Sequence, residues 1–195
     1  MAADSVEICN SALIKVGANT ISSLSDGTKA SNLCNAQYDR LRKEVLRSHP
    51  WNFAISYTSI AATVNTPIWT KQFSAEFVLP SDVLRVLETD LGYNEDWELG
   101  YNVDGNKVIF ARGTSIKIKY IKDITNTTRF DSNFDETLAF RIAADIAYAL
   151  VQSQTVQQNM YAAYLSFLSQ ARSFDAQENA ADRVEADEFT DAVRG

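Results

Sequence analysis

The sequence predicts an α+β protein: a helical bundle built from N- and C-terminal helices, an inserted antiparallel β module, and a C-terminal extension. Three observations carry that expectation. Apolar residues recur at helical spacing up to Ser48 and again after Asp131. Between them the chain turns to β-branched and aromatic residues with repeated turn signals. Near the end, sizeable apolar residues become sparse. The expected boundaries are 1–50 and 130–181 for the bundle, 51–129 for the β module and 182–195 for the extension.

Asp4 and Glu7 have capping-box spacing ahead of a first helix whose inner face is Val6, Cys9, Leu13 and Val16, with Gly17 to end it. A polar loop from Ala18 to Gly27 follows, anchored by Ile21 and Leu24. The second helix, Thr28 to Ser48, places Leu33 or Cys34, Tyr38, Leu41 and Val45 on one stripe. Its other side carries Asp39, Arg40, Arg42, Lys43, Glu44 and Arg47, expected to face solvent or another subunit. Pro50 cannot continue that helix and pushes His49 out of the α region, so the chain must leave there.

Strands are expected at 53–63, 73–79, 83–90, 97–103, 107–112 and 115–121, with Asp104-Gly105-Asn106 as a tight hairpin turn. The last strand alternates most clearly, Ile116, Ile118 and Tyr120 on one face and Lys117 and Lys119 on the other. Asp131 is a natural N-cap for a third helix with Phe134, Leu138, Ile142, Ile146 and Leu150 down one side. Its alanines let a neighbour approach closely, which predicts the central helix of the bundle. A fourth helix, Val156 to Ala180, offers Met160, Tyr164, Phe167, Leu168, Ala171 and Phe174 as its apolar side. In the remaining segment only Val184, Phe189 and Val193 are sizeable and apolar, too little to fold alone.

Composition narrows the function. Twenty-five acidic against 18 basic residues give a net charge of -7, which argues against gripping nucleic acid through its phosphates. There is no apolar run long enough to span a membrane, and the N-terminus lacks a signal-peptide pattern, so synthesis and folding in a cytoplasm are expected. Cys9 and Cys34 fall on apolar helix faces and read as small buried hydrophobes rather than as metal ligands or a disulfide framework. His49 is the single histidine; at a helix end it reads as a capping or packing residue. No nucleophile, phosphate-loop or dinucleotide pattern occurs, and neither a metal nor a cofactor is expected. The acids Asp131, Asp135 and Glu136 can be read as the acid and base of a glycosidase, but acids at a helix N-terminus have an electrostatic reason of their own.

Four blocks, in order, resemble the tail tubular protein A family, the head-to-tail adaptors of short-tailed, T7-like bacteriophages. The first runs from Asn10-Ser11-Ala12-Leu13 through Tyr38-Asp39 and Arg42-Lys43-Glu44-Val45-Leu46 to His49-Pro50-Trp51-Asn52-Phe53-Ala54. The second is Phe77-Val78-Leu79-Pro80-Ser81-Asp82-Val83-Leu84-Arg85-Val86. The third leads from Ile118-Lys119-Tyr120-Ile121 to Phe130-Asp131 and Leu138-Ala139-Phe140-Arg141-Ile142-Ala143, and the fourth is Ala171-Arg172-Ser173-Phe174-Asp175-Ala176-Gln177-Glu178. The resemblance implies a structural protein of the virion tail, not an enzyme: a dodecameric ring of this chain joining the portal protein to a tubular protein B-like nozzle. DNA would pass through the ring without specific binding during ejection, and no membrane is involved. It further implies portal docking through Val184, Phe189 and Val193, and nozzle or neighbour contacts through the loops that carry Trp69, Tyr93 and Trp97. A virion-associated peptidoglycan hydrolase, using Asp135 and Glu136, is the alternative.

Overall fold

In a computed structural model the chain is described at residues 4–63, 72–92 and 95–178. It has an α+β fold: α1 (Ser5–Lys15) and α2 (Lys29–Ser48) precede six strands, and α3 (Ser132–Val151) and α4 (Gln154–Gln177) follow them. Each helix starts where a side chain can satisfy its orphan amides. Asp4 accepts from the Glu7 amide at 2.8 Å while Glu7 accepts from the Asp4 amide at 3.0 Å, the reciprocal box that the spacing predicts. Thr28, Asp131 and Ser153 cap α2, α3 and α4 by a one-way bond, accepting from the amides of Ser31, Asn133 and Val156. Gly17, at φ +75°, ends α1, and the Ala18 amide reaches back to Leu13 O at 2.9 Å. The loop beyond it is held by Asn10, whose side chain bonds both the carbonyl and the amide of Ile21 at 2.9 and 2.8 Å.

α3 packs against α1, α2 and α4, so it is the central helix that its alanines predict. Ala139, Ala143 and Ala147 are buried at these contacts. Leu13, Leu41, Leu46, Phe134, Leu138 and Ile142 form the core with Leu168 of α4. Cys9 and Cys34 are fully buried there; their mutual hydrogen bond, then burial, hold the Cys9 thiol above its ordinary range.

The strands are β1 (Ile55–Ala61), β2 (Ala75–Val78), β3 (Val83–Thr89), β4 (Glu98–Tyr101), β5 (Lys107–Ala111) and β6 (Ser115–Lys122). They form two antiparallel sheets ordered β1-β6-β3 and β2-β5-β4. Ala75, Phe77, Ile109 and Ala111 of one sheet meet Ile116, Ile118 and Tyr120 of the other in a second core. Ile121, on the opposite face of β6, belongs to the helical core and couples the module to the bundle. The turn Asp104-Gly105-Asn106 joins β4 to β5 with Gly105 at φ +78°. Gly100 is required by close approach: a Cβ there would lie 2.8 Å from the Phe110 ring.

The structure corrects several details of the sequence reading. Residues 52–54 form a turn of 3-10 helix rather than the start of β1, because the amides of Ala54 and Ile55 fold back onto Trp51 O. β4 is shorter than 97–103. Arg42, placed by helical spacing among the solvated charges of α2, is buried at 2% exposure. Its guanidinium donates to Asp123 and, at 2.5 Å, to Ile124 O, tying α2 to the exit of β6. Phe174, assigned to the apolar side of α4, is 55% exposed. Val6 is only partly buried, and Ile8 and Ala12 fill the inner face of α1 instead.

Candidate functional site

α2 ends at Ser48 because Pro50 forces His49 into an extended conformation, φ -150° and ψ 147°. The last carbonyls of the helix are then capped from elsewhere in the fold. Trp51, 1% exposed, donates its indole N–H to Val45 O at 3.0 Å, and Ser48 Oγ donates to the same oxygen at 2.7 Å. Arg172 from α4 donates to Ser48 O at 2.6 Å, and Arg85 from β3 donates to Arg47 O at 3.4 Å. Cationic donors at a helix C-terminus also complement its dipole.

Asp175 closes this junction. Its Oδ2 lies 2.9 Å from His49 Nε2 and its Oδ1 accepts from the Asn52 amide at 3.0 Å, while its backbone carbonyl accepts from Asn52 Nδ2 at 2.8 Å. His49 stands edge-on to Trp51 at 5.0 Å, and Trp51 and Phe53 continue into Phe134 at 5.3 and 5.1 Å. The His49-Pro50-Trp51-Asn52-Phe53 turn is thus clasped between the end of α4 and the start of α3. A cleft of about 270 Å³ opens beside the clasp, lined by Phe53, Arg129, Asp131, Phe174 and Glu178. The clasp fixes the end of α4 at Asp175, three residues before Glu178, the last described residue.

His49 therefore packs and bonds at a helix end, as its position predicts. The three acids of the hydrolase alternative diverge. Asp131 caps α3, and Glu136 pairs with Lys15 of α1 at 2.8 Å. Asp135 is half-buried, with a buried Oδ1 that has no hydrogen-bond partner among the described residues; burial, then the charge of Asp131, raise its carboxyl to about 7. Among the described residues no group of three or more His, Cys, Asp or Glu side chains is placed to hold a metal ion, and no helix is long and apolar enough to cross a membrane.

Of the interface residues expected from the sequence, Trp97 lies just ahead of β4 and is 37% exposed. Trp69, Tyr93, Val184, Phe189 and Val193 lie outside the described residues. The charged face of α2 meets α3 through Arg40, Glu44, Arg141 and Asp145, with Arg141 Nε 2.8 Å from Glu44 and Arg40 3.1 Å from Asp145. Sequence reasoning missed two features. The role of Asp175 had no local signal, because its partners are more than a hundred residues away. The outward-facing row Leu99, Tyr101 and Val103 had a signal, strict alternation with Glu98, Gly100 and Asn102, but alternation does not say which face is covered. Compared with known proteins, the chain matches no family model and no curated sequence.

Proposed function

We propose that this chain is a structural head-to-tail adaptor of a short-tailed bacteriophage, forming a ring between the portal and the tail nozzle and giving DNA a channel, without catalytic turnover. The observation that carries the reading is the clasp: two blocks of the family resemblance, far apart in sequence, are joined through His49, Asn52 and Asp175. The clasp anchors the end of α4, and a docking arm that follows a helix needs that helix anchored. That segment holds Val184, Phe189 and Val193, the portal-side anchors of this reading. A net charge of -7, repeated around a channel, would repel DNA phosphates and limit sticking during passage. The chain would be made in the host cytoplasm and reside in the virion tail.

Removing residues 182–195 tests this reading. The truncated chain should keep the melting temperature of the full chain and lose co-sedimentation with portal rings. Undiminished portal binding would remove the arm from the proposal.

The raised Asp135 carboxyl favours one second reading, a virion-associated peptidoglycan hydrolase, since a general acid needs such a value. Cell-wall lysis that survives stringent purification and is abolished by Asp135→Asn would establish it. Lysis unchanged by that substitution, or absent from the pure chain, would dismiss it.

A further inference from the structure

The chain has two cysteines, one on each of its N-terminal helices, and the fold brings them together. Cys9 of α1 and Cys34 of α2 are both 0% exposed in the helical core and hydrogen-bond to each other. The seam that holds them is thinly packed, because α1 rests mainly on α3 and touches α2 little. It also reaches the surface close by. Ser5 stands one turn before Cys9, and Tyr38 one turn after Cys34, each on the same helix face as its cysteine. Both line a trough of about 420 Å³, together with Asp4 and Asn35. A small oxidant in that trough is one helical turn from the thiols.

The two sulfurs are not equivalent. Cys9 donates its S–H to Cys34; that bond, then burial, hold the Cys9 thiol up, whereas the same bond lowers Cys34 against the opposing effect of burial. Cys34 is therefore the member that ionises first, and the thiolate is the nucleophilic form.

We propose that Cys9 and Cys34 are a latent disulfide site, closed by a peroxide and tying α1 to α2. The Cys34 thiolate attacks one oxygen of hydrogen peroxide; the O–O bond breaks, Cys34 becomes a sulfenic acid and hydroxide leaves. The Cys9 sulfur then attacks the Cys34 sulfur, the S–S bond forms and the S–O bond breaks, and the Cys9 proton departs with the hydroxyl as water. The proton given up by Cys34 neutralises the first hydroxide, so two thiols and one peroxide yield one disulfide and two waters. The bond closes a loop over residues 9–34 and adds a covalent tie where the two helices pack least. A reducing cytoplasm keeps the pair as thiols, and the surroundings outside a cell oxidise it. This timing rests on the adaptor reading, in which the chain is made inside a host and carried out of it in the virion tail; the chemistry does not.

Treating the purified full chain with dilute hydrogen peroxide tests the site. Alkylation in denaturant should find both thiols before treatment and neither after it, and peptide mapping should recover the Cys9 and Cys34 peptides joined and lighter by two hydrogens. Dithiothreitol should restore both thiols. The oxidised chain should melt roughly 5–12 °C above the reduced one, and peroxide should not raise the melting temperature of Cys9→Ala or Cys34→Ala. Thiols that persist through long exposure, cysteines that overoxidise singly or link different chains, or an oxidised chain that melts no higher would overturn the proposal. In infected cells the pair should be thiols, and in released particles a disulfide. Thiols in both, once the purified chain has closed its disulfide, overturn the timing alone; absence of the chain from particles overturns the adaptor reading and leaves the disulfide standing.

Discussion

Replacing Asp175 by alanine removes the side chain that joins α4 to the His49-Pro50-Trp51 turn. Two hydrogen bonds go with it, those to His49 Nε2 at 2.9 Å and from the Asn52 amide at 3.0 Å, whereas the bond to the Asp175 carbonyl can persist. The carboxylate is 10% exposed and His49 16%, so water replaces little of what is lost. Hydrogen bonds to a charged group contribute about 1.5–3 kcal/mol each; with some relaxation of the chain end, Asp175→Ala should cost about 2–4 kcal/mol. For a chain of this size that is a fall of roughly 5–12 °C in melting temperature. Urea titration and calorimetry measure the loss, and hydrogen exchange should localise it to the last turns of α4. In a double-mutant cycle with His49→Ala the two substitutions should be strongly non-additive. A loss below about 0.5 kcal/mol, the size of an ordinary surface substitution, would refute the clasp as the lock on α4.

Three further outcomes are expected. Arg42→Met leaves Asp123 with Lys43, 3.4 Å away, as its one cationic partner among the described residues, and should destabilise the chain by about 3–5 kcal/mol, while pairing it with Asp123→Leu should recover much of the loss; urea midpoints decide, and a single variant as stable as the parent would contradict the buried pair. Asp135 holds its proton to about pH 7 in the folded chain but only to about pH 4 when unfolded, so its share of stability falls as pH rises between those values. Asp135→Asn should abolish that fall and, because the half-exposed carboxyl is screened, gain on the order of 1–2 kcal/mol at pH 8; identical stability profiles from pH 4 to 8 would contradict it. Gln152 ends α3 at φ +51°, a left-handed conformation that glycine adopts freely, so Gln152→Gly should raise stability by about 0.5–1 kcal/mol in thermal melts, and a loss would contradict that backbone assignment.

Local signals made most elements legible. The Asp4 and Glu7 box, the Asp131 cap, the Gly105 turn and the Ile116-Ile118-Tyr120 alternation each act within a few residues, so spacing alone reveals them. What the sequence did not reveal depends on contacts between distant segments. Helical spacing puts Arg42 beside Arg40 and Lys43 on a charged side; only Asp123, brought in by β6, makes burial tolerable there. Two sheets in place of one undivided module follow from β1 pairing with β6, a choice that no local pattern encodes. Phe174 has the spacing of a core residue, yet it is 55% exposed and lines the cleft beside the start of α3, a position that periodicity does not reveal. At the candidate site, the proline-directed exit of α2 could be read directly, and the partner that holds it could not.

Electron microscopy of tails assembled from portal, this chain and nozzle tests the adaptor role most directly. A closed dodecameric ring of this chain, seated between portal and nozzle with its C-terminal segment on the portal, is the predicted result. Tails that join portal to nozzle without this chain, or purified particles that lack it, would contradict the role.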